Sequence, residues 1–241
     1  MITKDIFIKN KGKVHINTSE SLRLGILLAI VGGFLDAYTF ICRGRVFANA
    51  QTGNIVLVGI DASKGDFVQA LMALFPILAF ILGIIVTERI KDFKFPSSAS
   101  VTYSEQIVII IEIVVLFIVG FIPDSMPHAF ATLPISFVSS VQIASFSKLV
   151  DSPYSTTMCT GNLRTASQAA YKSFIKKDTN SALKTKRYIT IILSFIIGAC
   201  FSGFLTLSFG VKSIWFASLI LVVSLILFRI DDYRFNSSNN K

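Results

Sequence analysis

Charge is what this sequence has least of. Only 15% of its 241 residues are Asp, Glu, Lys or Arg, where a soluble domain carries about a quarter. A water-surrounded globular fold is therefore excluded at the outset. Histidine occurs twice and cysteine three times. Cys42, Cys159 and Cys200 form no C-x-x-C pair and have no neighbouring His, which argues against a zinc site; their odd number argues against a disulfide framework. His15 lies in a basic tail and His128 in a short turn, so neither has an obvious partner as a general base. There is no H-E-x-x-H, no G-x-S-x-G with a His and no Walker lysine motif. The chain is accordingly expected not to be an enzyme and to hold no cofactor or metal. Residues 1–20 lack the apolar run of a cleavable signal and read as a cytoplasmic tail.

What is abundant is apolar. Hydrophobic residues make up 53% of the chain, 22 of them Phe, and the mean hydropathy is +0.68. A membrane crossing takes about 20 apolar residues, and six stretches qualify: Leu24–Cys42, Phe67–Thr87, Ile107–Ile122, Ala129–Ser147, Tyr188–Phe209 and Ile214–Phe228. The net charge of +9 follows from where the basic residues fall around these stretches. With the N-terminus in the cytoplasm, all but four of the 23 Lys and Arg lie on the cytoplasmic side, the four being Arg43, Arg45, Lys64 and Lys212. Such a bias is the signature of positive-inside topology, with both termini cytoplasmic, and it removes any need for a nucleic-acid partner.

A short motif occurs twice. Thr52–Gly53–Asn54 returns as Thr160–Gly161–Asn162, each copy after one span and before the next. Phe80–Ile81–Leu82–Gly83 is answered by Phe195–Ile196–Ile197–Gly198, and Asp36–Ala37 with Phe40 loosely by Gln142, Ala144 and Phe146. Three spans per half force the halves into opposite orientation, the inverted-repeat plan of many transporters. The expected fold is thus an all-α membrane protein of six transmembrane helices in two inverted three-helix repeats. Each repeat would carry its Thr-Gly-Asn on a half-helix or re-entrant segment. Residues 1–22 form a basic tail, 23–122 and 123–230 the two repeats, and 231–241 a C-terminal tail. An extended lead-in Val46–Gln51 reaches about 20 Å, enough to touch the midplane, and a helix over Gly53–Ile60 climbs back about 12 Å. The second lead-in is longer, and its helix, from Gly161 through Lys176, runs on into the cytoplasm.

Gly33–Phe34–Leu35–Asp36–Ala37, Val46–Phe47–Ala48 with Gln51–Thr52–Gly53–Asn54, and Thr156–Thr157 with Thr160–Gly161–Asn162–Leu163 together resemble the YoaK-type family of bacterial membrane proteins of unknown function. The resemblance spans roughly residues 20–230 and extends to a glutamate in the third span, here Glu112. Two positions depart from the family's usual pattern: Gln51 stands where a Met is common, and Ser140–Val141–Gln142 where Gly-Leu-Gln is common. The resemblance implies a six-span protein of the bacterial inner membrane and supplies no substrate.

Carboxylates at membrane depth are costly unless paired, hydrated or protonated, so Asp36 and Glu112 stand out. Asp36 either serves a solute or ion or is bonded to backbone N–H groups near the outer interface. Glu112 either serves a site or is a neutral acid bonded to another span, for instance at Gln142. The candidate substrate or ion site comprises Asp36, Thr52, Gly53, Asn54, Glu112, Gln142, Thr160, Gly161, Asn162 and Arg164. Arg164 is equally well placed for lipid headgroups. Thr or Asn at a helix start can accept from free backbone N–H groups, so each tripeptide lines a cavity or merely caps a packed helix. The leading expectation is a small-solute transporter or exporter, whose partners are the bilayer and an unknown solute or ion. A non-transporting scaffold or sensor comes second and an intramembrane enzyme third; a homo-oligomer is left open.

Overall fold

The computed structural model describes residues 21–92, 100–149, 152–153 and 159–239. Residues 1–20 of the expected N-terminal tail and the Thr156–Thr157 pair lie outside them. The fold is helical: α1 Leu22–Cys42, α2 Gln51–Ser63, α3 Phe67–Asp92, α4 Ser100–Val119, α5 Ala129–Ser145, α6 Cys159–Lys176, α7 Thr179–Phe209 and α8 Ile214–Asn239. Between α5 and α6 a minimal antiparallel ladder pairs Lys148 with Pro153 and Leu149 with Ser152.

Local chemistry sets several helix ends. Ser21 caps α1 by accepting the Leu24 N–H, and Asp178 caps α7 by accepting the Asn180 N–H and the Ser181 hydroxyl. Both relieve backbone donors that a helix start leaves open. Gly210 ends α7 at φ 55° and ψ −136°, a conformation that side-chain-bearing residues avoid. The chain then makes a 3-10 turn, Gly210–Ser213, and reverses into α8.

Among the described residues, three stretches are long and apolar enough to cross a membrane: Leu22–Cys42, Phe67–Asp92 and the 52-residue Thr179–Ile230 that α7 and α8 share. α5 is apolar but shorter, at 17 residues. Large apolar side chains face outward along the bundle, Leu82, Phe117, Phe204 and Leu207 among them. That exposure is tolerable only where lipid replaces water. The molecule is a membrane protein in contact with the bilayer.

The helices pack in a set pattern. α1 lies along α7 and α3 along α5; α2 packs on α3 and α6 on α7; α4 meets α5 as α8 meets α1, and α4 meets α8. Exchanging α1–α4 with α5–α8 leaves this set of neighbours unchanged. Glycines permit the closest approaches. A Cβ on Gly33 would collide with the Phe195 carbonyl, and one on Gly198 with the Ile30 carbonyl, so α1 and α7 touch backbone to backbone. Gly83 admits Ser140 and the Phe137 carbonyl of α5 in the same way.

Arg43 gathers one end of the bundle. It is fully buried, and its guanidinium donates to the Tyr38 hydroxyl at 2.9 Å, the Ile122 carbonyl at 2.7 Å and the Pro123 carbonyl at 3.5 Å. Tyr38 in turn donates to the Val211 carbonyl at 3.0 Å. The C-terminus of α1, the α4–α5 loop and the α7–α8 turn therefore share that end. At the other end Lys91 of α3 donates to the carbonyl of Ala144 on α5.

Candidate functional site

The segment between α1 and α2 is non-helical backbone packed inside a membrane protein, so each of its polar groups needs a partner. The sequence supplies those partners from both sides. Thr39 Oγ1 of α1 accepts the Ala48 N–H at 3.2 Å. Asp36 Oδ1, one turn earlier, accepts the N–H groups of Asn49 at 2.9 Å and Ala50 at 3.0 Å. Asn54 reaches back to Phe47: its Oδ1 accepts the Phe47 N–H at 2.8 Å and its Nδ2 donates to the Phe47 carbonyl at 2.6 Å. A further bond from Nδ2 to Gln51 Oε1, at 2.7 Å, closes the network. Gly53 is required here because a Cβ would overlap the Phe47 ring. Thr52–Gly53–Asn54 thus forms the first turn of α2, with Asn54 stapling the lead-in to the helix it precedes.

Asp36 plays the part that an N-cap usually plays. α2 has no side-chain cap of its own on Ala50, and the carboxylate arrives instead from a neighbouring helix.

A cavity of about 720 Å³ lies beside this turn. Its wall brings the beginnings of both motif helices together: Thr52 and Gly53 of α2, and Cys159, Thr160 and Gly161 of α6. Asp36 and Asn49 supply further polar groups, and Phe40, Phe47, Phe80 and Phe195 the apolar wall. Phe40 and Phe47 are stacked with centroids 5.0 Å apart. Unlike Gly53, Gly161 has open space where a Cβ would stand. Among the described residues Asp36 is the only acid or base on the wall, and no cluster of three His, Cys, Asp or Glu could hold a metal ion.

The other sequence candidates lie elsewhere. Asn54 and Asn162 are buried but do not line the cavity. Arg164 is exposed on α6. Glu112 and Gln142 form their own pair between α4 and α5, Gln142 Nε2 donating to Glu112 Oε2 at 2.8 Å; the second carboxyl oxygen of Glu112 is buried with no partner among the described residues. The cavity therefore gathers Asp36, Thr52, Gly53, Thr160 and Gly161, and leaves Glu112, Gln142, both motif asparagines and Arg164 outside its wall. Two residues gain a role that sequence reasoning did not assign. Arg43 is a fully buried strut, and the only hint of this is a basic residue at the end of a span. Asn49 carries no sequence signal beyond lying in the lead-in. The residue is 2% exposed, and among the described residues neither Nδ2 nor Oδ1 has a partner.

Apolar helices packed glycine to carbonyl, with a polar lead-in folded against them beside a cavity, define a polytopic helical membrane protein. Within that class the chain belongs to the family described as "Protein of unknown function (DUF1275)", which matches residues 24–227. It is similar to the UPF0700 transmembrane protein YoaK of Bacillus subtilis (strain 168), with 26% identity over 183 residues, covering 72% of this chain and 78% of that protein. No solved structure matches the chain.

Proposed function

We propose that the protein is a small-solute transporter or exporter of the bacterial inner membrane, not an enzyme, and that the cavity between α2 and α6 is its central site. The observation that carries this is the meeting of the two Thr-Gly turns on one cavity wall, with Phe80 facing the same space as its counterpart Phe195. In inverted-repeat transporters the site lies between repeats, where broken helices point their N-termini at the solute. Six crossings by α1, α3, α4, α5, α7 and α8 make up the two repeats. The set of helix neighbours, invariant to exchange of the halves, supports that arrangement. α2, with 13 residues, spans about 20 Å and is too short to cross; it serves as the re-entrant element. Both termini and the long α5–α7 region, rich in Lys and Arg, face the cytoplasm.

A scaffold without transport is the second reading. Its support is that the Asp36 Oδ1 and Asn54 bonds all serve the fold. Flux in proteoliposomes, screened over metabolites and ions for intact protein and Asp36→Asn, separates the two. Transport coupled to Asp36 is lost in the variant, and a scaffold carries none in either. Sidedness is tested by Lys64→Cys and Lys184→Cys labelled with a membrane-impermeant maleimide in intact cells. Labelling of Lys64→Cys alone is expected, and labelling of both from one side ends the inverted-repeat proposal.

A further inference from the structure

The cavity wall carries a formal charge at one place. Among the described residues Asp36 is its only Asp, Glu, Lys, Arg or His. The fold does not use up that carboxylate. Both hydrogen bonds it accepts, from the Asn49 and Ala50 N–H groups, end on Oδ1. Oδ2 has no partner among the described residues, yet it is not sealed from contact as the Asn49 amide and Glu112 Oε1 are. Asp36 lines the cavity and keeps 5% of its surface, which leaves Oδ2 open to the space beside it. An acid in so apolar a setting needs a proton or a positive partner, because a bare carboxylate at membrane depth is costly.

The facing halves of the bundle differ at this point. α1 meets Gly198 at the Ile30 carbonyl, and α5 meets Gly83 at the Phe137 carbonyl. Six residues beyond these contacts stand Asp36 in α1 and Ile143 in α5, and both line the cavity. Matching positions thus offer one carboxylate and one aliphatic side chain, so the charge to be met is a single unit. Much of the remaining wall is aromatic, with Phe40, Phe47, Phe80 and Phe195. A ring face attracts a cation while its edge and body suit an apolar group. Phe40 already shows this, with the Arg45 guanidinium carbon 5.6 Å from its centroid. An anion would instead sit beside Asp36 in a low-dielectric space, where like charges repel strongly. Ile41 and Ile55 also line the cavity while being 45% and 60% exposed, so its mouth opens among apolar side chains.

Resting on the reading of this cavity as the solute site, we infer that its substrate is a lipophilic organic monocation, such as a quaternary ammonium or phosphonium ion. Asp36 Oδ2 is its counter-ion, and the phenylalanines of the wall surround its apolar body. A cavity of about 720 Å³ falls in the usual range for such ligands.

The test is equilibrium binding of tritiated tetraphenylphosphonium to the full chain, purified in dodecyl maltoside and held on beads, with bare beads as the blank. Saturable binding is expected. Triphenylmethanol is neutral and shares much of the probe's body. Triphenylacetate stands for an anion drawn to the partial positive charge where α2 and α6 begin. Each should displace the label about tenfold less effectively than unlabelled tetraphenylphosphonium does. Asp36→Asn keeps an acceptor for the Asn49 and Ala50 N–H groups but loses the charge, so it should weaken binding about tenfold or more while the protein stays monodisperse. Gly161→Leu tests the place independently. Gly161 lines the cavity with open space where a Cβ would stand, so the larger side chain takes up cavity volume without displacing a neighbour and should weaken binding to a similar degree. The inference is overturned if no saturable binding occurs, if triphenylmethanol or triphenylacetate displaces as well as the cation, or if either folded variant binds like the unaltered protein. Such a failure removes the ligand class and leaves transport of another solute standing. Binding through Asp36 in a protein that moves no tetraphenylphosphonium or other solute in proteoliposomes upholds the ligand class and removes transport.

Discussion

Replacing Gly198 by Ala tests whether α1 and α7 are held at backbone contact. An added Cβ would stand 2.7 Å from the Ile30 carbonyl carbon and 2.8 Å from its Cα, with the carbonyl oxygen nearer still. Those are main-chain atoms inside a helix, so no side-chain rotation relieves the clash. Ordinary contact needs at least about 3.5 Å, so the two helices must part by about 1 Å at the crossing. Gly33 faces the same crossing from α1, where a Cβ would meet the Phe195 carbonyl carbon at 2.9 Å and the Ala199 N at 3.1 Å. Overpacking of this kind costs about 1–3 kcal/mol, and the better helix propensity of Ala returns at most about 1 kcal/mol. Gly198→Ala should therefore destabilise by about 1–2 kcal/mol. Gly203, five residues along α7, has nothing within 4 Å of its would-be Cβ. Gly203→Ala should be neutral or stabilising by up to about 1 kcal/mol. Thermal unfolding of the two variants in the same detergent, followed by loss of the monodisperse peak, compares them directly. The Gly33→Ala, Gly198→Ala double variant should cost less than the sum of the singles, since one separation of the helices serves both methyl groups. A Gly198→Ala protein as stable as Gly203→Ala would refute the backbone-contact argument.

Asp36→Asn keeps an acceptor for the Asn49 and Ala50 N–H groups and should fold, whereas Asp36→Leu strands both donors and should cost roughly 2–6 kcal/mol, read as loss of folded yield and a lower Tm. Asn54→Ala removes three hydrogen bonds and frees the α2 lead-in, so it should destabilise by roughly 2–5 kcal/mol and speed amide exchange at Phe47. Glu112→Gln preserves an acceptor for Gln142 and should leave Tm unchanged or raised, while Glu112→Leu should lower stability by about 1–3 kcal/mol. Outside the membrane, the Ser181 hydroxyl bond to Asp178 holds that carboxyl below the usual carboxylate range. A depressed folded value means that the α7 cap is present at neutral pH and is lost only as acid carries the pH down through it. Protection of the Asn180 amide, taken against its intrinsic exchange rate at each pH, should therefore fall in acid and be lost at every pH in Asp178→Ala.

The membrane class, the helical fold and the approximate limits of the apolar stretches were all legible in composition and order. Lipid offers no hydrogen bonds, so long apolar runs have no option but helix. The recurrence of Thr-Gly-Asn also marked where both motif-bearing helices begin, Gln51 for α2 and Cys159 for α6. α2 proved longer than Gly53–Ile60 at both ends, and α7 begins at Thr179, ahead of the apolar run. Helix ends follow caps such as Asp178 rather than hydropathy. The division of labour within the motif was not legible. Identical letters give Gly53 a ring to accommodate and Gly161 open space, because Phe47 lies over one copy and no described atom over the other.

Hydropathy and the basic-residue bias are sums over neighbouring positions, so the chain alone determines that this is a helical membrane protein. Which polar residues meet is a different matter. The bond from Gln142 to Glu112 and the backbone N–H groups on Asp36 were alternatives that the sequence already offered, whereas the meeting of Arg43 with the Ile122 carbonyl is set by the way separate segments are brought together. Only the packed bundle decides that the Asn54 amide is consumed by Phe47 while the Asn49 amide is buried with no partner among the described residues. The same amide is spent or available according to what the fold places within about 3 Å of it.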